Sequence, residues 1–367
     1  MRGPAVFPIM IAAGGTGGHF FPAEALASEL LTRGRRVALM TDARSGGLQS
    51  PVFAGVERFV ISGAGIAGRG WRAGTATLAL TAGVAQARRI LAHSNAAAVV
   101  GFGGYPCVPP VLATRLMRHR PAVILHEQNA VLGRANRMLA RFADALALSF
   151  ATTERVPKTT ATVMTGNPVR PTITEAPYVP PTDTLRLLVL GGSLGARVFS
   201  DVVPPALAAL PEAMRARLSV VQQCRSEDLA RVGAAYDAVG IAAELSAFFP
   251  DVADKLAAAH LVIARAGAST VAELAVVGRP AILVPLPGAI DDHQSANARA
   301  LVEARGASLI AQRDFTPDTL CERLTALLAS PDMLNHAALA AHRIARPDAT
   351  ARLADLVEQL MHQEVRA

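Results

Sequence analysis

One local pattern, a short apolar strand followed by a glycine-rich turn and a helix, occurs in both halves of this 367-residue chain. In the first half, Ile9 to Ala13 leads into GGTGGH at 14–19 and then into a segment with apolar residues at helical spacing. In the second half, Leu185 to Leu190 leads into GGSLGAR at 191–197. Such units build parallel sheets covered by helices on both faces. The sequence therefore predicts an α/β protein with two Rossmann-like, doubly wound domains.

A proline-rich polar stretch separates the two halves and predicts a linker between two folded units. Its prolines are Pro168, Pro171, Pro177, Pro180 and Pro181. We therefore assign residues 1–166 to an N-terminal domain and residues 167–346 to a C-terminal domain. The final segment, 347–367, contains a predicted helix whose apolar face must pack on another element. That face carries Leu353, Leu356, Val357 and Leu360.

The composition is that of a well-folded protein from a reducing compartment. Hydrophobic residues make up 51% of the chain and charged residues 18%, which argues against disorder. The three cysteines, Cys107, Cys224 and Cys321, are widely separated and form no Cys-x-x-Cys pair. This spacing argues against a disulfide framework and against a structural zinc site.

The net charge of +7 favours an anionic partner, which could be nucleic acid, a phosphorylated ligand or an acidic membrane surface. The basic residues are mostly arginines scattered along the chain, so we expect no nucleic acid partner. The apolar N-terminus could be mistaken for a signal peptide, but Pro4 and Pro8 interrupt it. Because no uninterrupted apolar segment is long enough to span a bilayer, we expect a soluble or peripheral protein.

The stretch from His260 to Asn297 has the densest set of candidate functional residues. A predicted strand, Leu261 to Ala264, leads through a short turn ending at Gly267 into a predicted helix. Such a turn points unpaired backbone N–H groups at one place, and the aligned peptide dipoles add positive potential there, which makes a phosphate seat. The polar side chains that follow are Glu273, Asp291, His293, Gln294 and Asn297. Together these features suit a nucleotide that carries a sugar.

These residues also have ordinary structural interpretations. Thr270-x-x-Glu273 fits a capping box, in which the glutamate reaches back to the first N–H of its helix. Asp291 could begin the next helix, and Gln294 and Asn297 could form an exposed polar face. The combination favours the functional interpretation, and the capping box stays open as its alternative.

The glycine turn at 14–19 could hold a phosphate or be an ordinary tight turn, since glycine permits positive φ and close backbone approach. A dinucleotide fold is one alternative, because Gly15-x-Gly17 begins its fingerprint and Asp42 could bind ribose. Against it, Phe20 occupies the third glycine position. A second complete α/β domain is also more than a plain dehydrogenase needs.

Two histidines stand where substrates of such folds gather. His19 closes the first glycine turn, and its ring titrates in a range that suits proton transfer, although a lone histidine is more often structural. His126 forms a polar cluster with Glu127 and Asn129 at the end of a predicted strand. That cluster is typical of acceptor-side chemistry or of groups that support it.

Seven motifs follow one another along the chain: GGTGGH, GFGGY, HEQN, GNPVR, GGSLGAR, RAGASTVAE and DDHQSANA. In this order and spacing the chain resembles, over nearly its whole length, the N-acetylglucosaminyltransferases of bacterial peptidoglycan synthesis. The resemblance implies a GT-B fold, in which two Rossmann-like domains face one another across a cleft and the last helix crosses back to the first domain. It implies transfer of N-acetylglucosamine from UDP-GlcNAc, held mainly by the C-terminal domain, to undecaprenyl-pyrophosphoryl-MurNAc-pentapeptide on the N-terminal domain.

The resemblance also implies a role for each residue that matches a motif. Donor-side residues of the glycine turns and the linker are Thr16, Gly17, Gly18, Asn129, Arg170 and Ser193. The nucleotide is held by Ala268, Ser269, Thr270, Val271, Ala272 and Glu273, with Thr270 at the pyrophosphate and Glu273 on the ribose. Gln294 and Asn297 bind the GlcNAc hydroxyls, and Phe249 lies near the uracil. Acceptor-side residues are Gly103, Gly104, Tyr105, His126 and Glu127.

The implied chemistry is an in-line displacement by an acceptor hydroxyl, because the donor is α-linked and the family's product is β-linked. His19 is the candidate base. The chain contains no Asp-x-Asp triplet of the kind that holds a divalent metal in many glycosyltransferases. We therefore expect the helix after Gly267, with Arg265, to stabilise the charge on the departing UDP, and we expect no metal and no cofactor.

A lipid-linked acceptor requires approach to a membrane. Residues 69–89 combine apolar and basic side chains: Trp71, Leu78, Leu80 and Val84 with Arg69, Arg72, Arg88 and Arg89. This mixture suits an anionic bilayer surface, although an ordinary core helix with solvated arginines fits as well. We expect peripheral attachment to the cytoplasmic face of the inner membrane.

Two other activities remain as alternatives at this stage. A related two-domain epimerase would convert UDP-GlcNAc without any acceptor. A dinucleotide-dependent oxidoreductase would bind a nicotinamide cofactor through Asp42.

Overall fold

The structure, a computed structural model, describes residues 7–14, 17–43, 50–62, 71–192 and 195–364. The chain divides into two compact units: unit 1 comprises Met1–Arg170 and Asp348–Ala367, and unit 2 comprises Pro171–Pro347. The motif GNPVR at 166–170 therefore lies in unit 1, whereas the sequence-based boundary falls at its first glycine.

Unit 1 is built around a seven-stranded sheet. Its strands are β1 (Ile9–Ala12), β2 (Val37–Thr41), β3 (Glu57–Val60), β4 (Ala98–Gly101), β5 (Ala122–Glu127), β6 (Ala145–Leu148) and β7 (Thr162–Met164). Its helices are α1 (Gly17–Thr32), α2 (Pro51–Ala54), α3 (Trp71–Ser94), α4 (Val108–Thr114), α5 (Arg134–Leu139) and, at the end of the chain, α14 (Ala349–Glu364). The strand order is β3-β2-β1-β4-β5-β6-β7, and all neighbouring strands are parallel.

Unit 2 repeats this architecture with six strands. They are β8 (Leu185–Leu190), β9 (Leu218–Gln223), β10 (Ala242–Ser246), β11 (Leu261–Ala264), β12 (Ala281–Leu283) and β13 (Ala307–Leu309). The helices are α6 (Arg197–Ala208), α7 (Glu212–Arg215), α8 (Leu229–Asp237), α9 (Val252–Ala258), α10 (Ala268–Val277), α11 (His293–Glu303), α12 (Pro317–Leu328) and α13 (Pro331–Arg343). The order is β10-β9-β8-β11-β12-β13, again all parallel. The doubly wound fold predicted from the sequence is confirmed in both units.

Strands buried on both faces explain why the sequence shows continuous apolar runs rather than alternation. In β1, Ile9 and Ile11 join one hydrophobic cluster with α1 and α14, while Met10 and Ala12 join a second cluster with residues of α3 and α4. Helices therefore cover both faces of this sheet.

The order of strands fixes where a ligand can bind. In unit 1 the direction of winding reverses between β1 and β4, and in unit 2 it reverses between β8 and β11. Parallel sheets bind ligands beyond the carboxyl ends of the strands at this reversal. The four segments that follow these strands are the glycine turns at 14–19, 101–105 and 191–197 and the turn at 265–267.

The last helix, α14, belongs to unit 1, as predicted. Leu353 and Val357 are completely buried in the cluster that contains the α1 side chains Leu26 and Leu30. Ion pairs border this contact: Arg33 Nη1 lies 2.6 Å from Asp355 Oδ1 and 2.9 Å from Glu358 Oε2, and Arg35 Nε lies 2.5 Å from Glu358 Oε1. Burial of apolar area supplies most of the stability of this contact, because ion pairs near the surface contribute little.

Arg279 ties the linker to unit 2. Its side chain is almost fully buried and donates only to backbone carbonyl groups. The acceptors are Leu256 (3.0 Å) and Ala257 (2.6 Å) near the end of α9, Val277 (2.8 Å) and Gly278 (3.2 Å) at the end of α10, and Ala176 (3.1 Å) and Pro177 (3.2 Å) in the linker. Helix C-termini carry partial negative charge, so they stabilise a buried guanidinium without a carboxylate.

We expect Leu353→Ala to lower the free energy of unfolding of unit 1 by about 2–5 kcal/mol, since it leaves a cavity between α14 and α1. Urea unfolding followed by circular dichroism measures this change. Leu339→Ala is the matched control, because Leu339 is 52% exposed on α13. The packing role of α14 would be refuted if both variants unfolded at the same urea concentration.

Candidate functional site

The turn between β11 and α10 has the geometry of an anion site. Gly267 is the N-cap residue, with φ −63° and ψ 146°, and no side chain caps the helix. The backbone N–H groups of Ala268, Ser269 and Thr270 occupy the first turn, where no intrahelical acceptor exists. The capping box considered from the sequence is wrong, because the helix begins before Thr270 and this residue is its third, not its N-cap.

Two side chains of α10 complete this site. The Ser269 Oγ atom is buried and has no hydrogen-bond partner among the described residues. A buried hydroxyl without a partner is costly, which indicates that a ligand or water satisfies it. Glu273 is 7% exposed in the second turn, too far along the helix to cap it. Val271 is buried and Ala272 half-buried, so they contribute packing and backbone.

Arg265, in the same turn, is held inside unit 2. Its Nη1 donates to the carbonyl groups of Val284 (3.1 Å) and Pro285 (3.2 Å), and its Nη2 donates to Gln312 Oε1 at 2.7 Å. The guanidinium also lies 5.2 Å from the Phe199 ring centroid. Burial lowers the pKa of Arg265 below its ordinary value, but a guanidinium stays charged at neutral pH. Arg265 thus supplies positive charge beside the turn from a fixed position.

Side chains of α11 brace this turn and the loop that precedes α11. Asn297 is fully buried, and its Nδ2 donates to the Ala266 carbonyl at 3.2 Å. This burial is at odds with the exposed polar face considered from the sequence and with the direct sugar contact predicted for Asn297. Gln294 is half-buried, and its Oε1 accepts from Leu286 N at 2.9 Å, which leaves its NH₂ group as the donor for a ligand.

The two aspartates before α11 both have left-handed backbone conformations. Asp291 has φ 56° and Asp292 has φ 51°, and α11 begins at the next residue, His293. Such conformations are costly for residues other than glycine and collect at functional sites. Ser295 Oγ donates to Asp292 Oδ1 at 2.8 Å, which helps hold this bend.

Phe249 is buried, with Lys255 Nζ 5.5 Å from its ring centroid. Its neighbour Phe248 is 69% exposed. The exposed aromatic ring of this segment is therefore Phe248, which the sequence analysis missed. Alternation along an extended segment is the signal that could have found it.

In unit 1, His19 lies in the first turn of α1, against the loop that follows β4. Its Nδ1 donates to the Phe102 carbonyl at 2.7 Å, and the Gln128 amide also contacts Nδ1. Gly103 and Gly104 have φ of 83° and 69°. A Cβ atom at Gly103 would come within 3.2 Å of His19 Cε1, so glycine permits this approach. Tyr105 follows them and is half-buried.

The carboxylate of Glu127 is buried and holds neighbouring groups through hydrogen bonds. It is 2% exposed and accepts four hydrogen bonds. The donors are Asn129 N (3.0 Å) and Asn129 Nδ2 (3.1 Å) on Oε1, and Gly133 N (2.8 Å) and Asn136 Nδ2 (2.9 Å) on Oε2. Glu127 therefore positions Asn129, which is half-buried. Asn136 was missed by the sequence analysis because it lies on α5, outside every motif.

His126 is fully buried, and it packs on Phe102 with ring centroids 5.2 Å apart. Its Nε2 donates to the Gly166 carbonyl at 3.1 Å. Burial lowers the pKa of His126 from its ordinary 6.5 to about 4, so the ring is neutral at physiological pH. Its predicted acceptor-side role cannot involve direct contact in this conformation.

Other predicted residues are placed as follows. Gly17 and Gly18 are the first residues of α1, and Gly18 is exposed. Arg170 lies 5.2 Å from the Phe21 ring centroid of α1, which brings GNPVR beside the first glycine turn. Thr16 and Ser193 lie outside the described residues. Within the described ranges, no group of three or more histidine, cysteine, aspartate or glutamate side chains could hold a metal ion.

The predicted membrane segment forms part of α3. Leu78 is 71% exposed, whereas Leu80 and Val84 are half-buried and pack against the core of unit 1. Arg88 donates to the Leu116 carbonyl at 3.0 Å, and Leu116 is also exposed. Arg69 and the side chains of residues 71–76 lie outside the description. In the part of the chain that the structure describes, no helix has the length and apolarity needed to cross a membrane.

Comparison with known protein families matches both units. Residues 9–148 match the glycosyltransferase family 28 N-terminal domain, and residues 186–360 match the glycosyltransferase family 28 C-terminal domain. A curated relative from Granulibacter bethesdensis is 64% identical over 364 residues, which cover 98% of this chain and 95% of the relative. That relative is named UDP-N-acetylglucosamine–N-acetylmuramyl-(pentapeptide) pyrophosphoryl-undecaprenol N-acetylglucosamine transferase.

Solved structures agree. The crystal structure of MurG from Acinetobacter baumannii has a TM-score of 0.80 and 31% identity, covering 96% of this chain and 99% of that one. A Listeria monocytogenes structure assigned as a UDP-N-acetylglucosamine 2-epimerase has a TM-score of 0.64 at 15% identity, covering 95% of both chains. The second likeness shows the fold alone.

Acid should destabilise this protein partly through His126. Because its pKa is about 4 when folded and ordinarily 6.5, the unfolded chain binds the proton first as the pH falls. The neutral His126 ring makes its full contribution to the free energy of unfolding above pH 6.5. That contribution falls as the pH approaches 4, by about 3 kcal/mol at most. His126→Gln keeps a donor toward Gly166 and cannot titrate, so its unfolding free energy should fall less with acid.

Urea midpoints measured from pH 7.5 to pH 5 check this, with exposed His336→Gln as the control for loss of one histidine. Parallel pH profiles for the native protein and His126→Gln would contradict a buried neutral ring.

Proposed function

The chain belongs to glycosyltransferase family 28, as an N-acetylglucosaminyltransferase, and from this premise we propose that it transfers GlcNAc from UDP-GlcNAc to the muramyl C4 hydroxyl of undecaprenyl-pyrophosphoryl-MurNAc-pentapeptide. The structural observation that carries the proposal is the uncapped N-terminus of α10. This N-terminus combines backbone N–H groups that no side chain caps with the buried Ser269 hydroxyl, which has no partner among the described residues. The Glu273 carboxylate lies in the next turn of the helix. These groups match a pyrophosphate followed by a ribose.

Unit 2 binds the donor in this proposal. The pyrophosphate lies at the first turn of α10, with Thr270 and Ser269 as side-chain donors. Glu273 accepts hydrogen bonds from the ribose hydroxyls. The NH₂ group of Gln294 donates to the GlcNAc hydroxyls, and Asn297 supports the turn from beneath through Ala266.

Unit 1 supplies the base and the acceptor side. Donation from His19 Nδ1 to Phe102 places the lone pair of the neutral imidazole on Nε2. The acceptor hydroxyl attacks the anomeric carbon as the bond to the UDP oxygen breaks. Its proton passes to His19 Nε2, and the electron pair of the broken bond leaves with UDP. Attack opposite the leaving group converts the α-linked donor into a β-linked product.

The negative charge left on UDP is stabilised by fixed dipoles. Backbone N–H groups at a helix N-terminus need no reorganisation during the reaction, and a positive guanidinium at Arg265 adds to their potential. Arg265 acts here by charge, since its side-chain hydrogen bonds run to other groups of unit 2.

We further propose that the protein works at the cytoplasmic face of the inner membrane as a peripheral protein. The lipid-linked acceptor requires contact with the bilayer, and exposed Leu78 with Leu116 and nearby exposed arginines suits an anionic surface. Of the apolar residues that the sequence predicted for this surface and whose side chains the structure describes, Leu78 is the most exposed.

The two alternatives fare unequally. The oxidoreductase is wrong, because the chain belongs to a glycosyltransferase family and Asp42 is only 3% exposed. The epimerase rests on fold likeness alone. Purified protein incubated with labelled UDP-GlcNAc and the lipid-linked muramyl-pentapeptide, with chelator present, should transfer sugar only when the acceptor is added. Conversion of UDP-GlcNAc without acceptor would instead establish the epimerase.

Glu273→Gln should weaken UDP-GlcNAc binding about tenfold to a hundredfold, because it replaces a charged acceptor by a neutral one. Calorimetric titration measures the dissociation constant, and circular dichroism checks the fold. Glu303→Gln on exposed α11 surface is the matched control. Unchanged affinity in Glu273→Gln would remove this residue from the donor site.

His19→Ala should lower kcat about a hundredfold to ten-thousandfold with little change in donor affinity, because proton transfer and not binding is lost. Steady-state transfer rates and UDP-GlcNAc titration separate the two effects. A variant that keeps native turnover would mean that another group accepts the proton.

A further inference from the structure

Gln128 lies between the two histidines of unit 1, and neither the reaction scheme nor any motif role uses it. It is 2% exposed at the end of β5. Its amide nitrogen contacts His19 Nδ1, and its side chain lies beside the His126 ring. Its Oε1 is buried and has no partner among the described residues.

The protonation of His19 Nδ1 determines what can face it. The Phe102 carbonyl, 2.7 Å away, can only accept, so Nδ1 carries the proton. An NH₂ group pointing at that N–H would place two donors against each other. A half-turn of the Gln128 amide exchanges its oxygen and nitrogen in the same space, so that the one proton on Nδ1 is shared between the Phe102 carbonyl and Gln128 Oε1.

The tautomer of His126 supports the same orientation of the Gln128 amide. Its Nε2 faces the Gly166 carbonyl at 3.1 Å and Ser149 Oγ at 3.3 Å, and the Ser149 hydroxyl itself donates to the Glu127 carbonyl at 2.8 Å. Nε2 must therefore carry the proton, which leaves a lone pair on Nδ1. That Nδ1 atom is buried and has no donor among the described residues. Leaving it without one is costly.

One orientation of the amide satisfies all of these groups. With Oε1 toward His19, the Gln128 NH₂ group turns toward His126 Nδ1. Hydrogen bonds then run in one direction, from His19 Nδ1–H to Gln128 Oε1, from Gln128 Nε2–H to His126 Nδ1, and from His126 Nε2–H to the Gly166 carbonyl. The two orphaned buried atoms, Gln128 Oε1 and His126 Nδ1, both gain partners.

We infer that Gln128 is a positioning residue that, through this chain from His19 to Gly166, fixes the ring orientation and tautomer of His19. The inference rests on the proposed function only in naming His19 as the base. His126 serves as a neutral acceptor for the Gln128 amide, which explains a buried histidine so near the reacting groups. Burial keeps that ring uncharged, and an uncharged ring is what the chain requires.

Nuclear magnetic resonance of the ligand-free, isotope-labelled protein tests the chain directly. Long-range nitrogen–proton spectra should show His19 protonated at Nδ1 and His126 protonated at Nε2 only. A scalar coupling across the N–H···N bond should join Gln128 Nε2 to His126 Nδ1. A coupling from Gln128 Nε2 to His19, or a protonated Nδ1 on His126, would overturn the inference.

Two matched variants test the consequence for turnover. Gln128→Met has a similar length but neither donor nor acceptor, and it should lower kcat about tenfold to a hundredfold with unchanged KM for UDP-GlcNAc. Gln128→Glu restores an acceptor for His19 and, in its acid form, a donor for His126, so it should recover most of that loss. Native kcat in Gln128→Met, or equal losses in both variants, would refute the positioning role.

The outcomes also separate this inference from the proposed function. If the native protein transfers no sugar but shows the predicted coupling, the proposed function fails and the placement of Gln128 stands. If it transfers sugar and the coupling is absent, the proposed function stands and the inference fails. Urea midpoints of both variants distinguish loss of turnover from loss of folded protein.

Discussion

The backbone of a parallel sheet must cross back over the sheet before it can form the next strand, and most of these crossovers contain a helix whose N-terminus lies beside the carboxyl ends of the strands. In unit 2 the turn after β11 leaves the first N–H groups of α10 without a side-chain cap. Hydrogen bonds hold this turn in place. Asn297 donates to the Ala266 carbonyl, and Arg265 donates to a carbonyl group just after β12. The unit therefore keeps positive potential at one point, which is where we propose that the pyrophosphate of the donor binds.

In unit 1, the turns beyond the carboxyl ends of the strands position a histidine. The turns after β1 and β4 bring His19 against a pair of glycines, and the loop after β5 supplies a polar interior beneath it. In that interior, Glu127 accepts four hydrogen bonds and His126 stays neutral. Buried polar groups held by several hydrogen bonds keep their neighbours in place, which suits the role proposed for His19.

Two contacts stabilise the folded units and take no part in the proposed reaction. The buried face of α14 completes the core of unit 1 with residues from the far end of the chain. Arg279 binds the linker carbonyls of Ala176 and Pro177 to the ends of α9 and α10. Each contact joins segments distant in sequence, so each depends on the whole unit being folded.

The sequence by itself determined the fold class, the glycine turns and the strand that leads into α10, because periodicity and glycine spacing are local properties of the backbone. The family came from the resemblance of seven ordered motifs to a known group of enzymes. Only the tertiary structure decided which motif residues face outward. Asn297, His126 and Phe249 look like ligand-binding residues in the sequence yet are buried, whereas Phe248 is exposed. Gln128 and Asn136, which carry no motif role, are buried among the polar groups of unit 1. The reason is physical: burial and hydrogen-bond partners come from segments far apart in the chain, and no local pattern specifies which of them will meet.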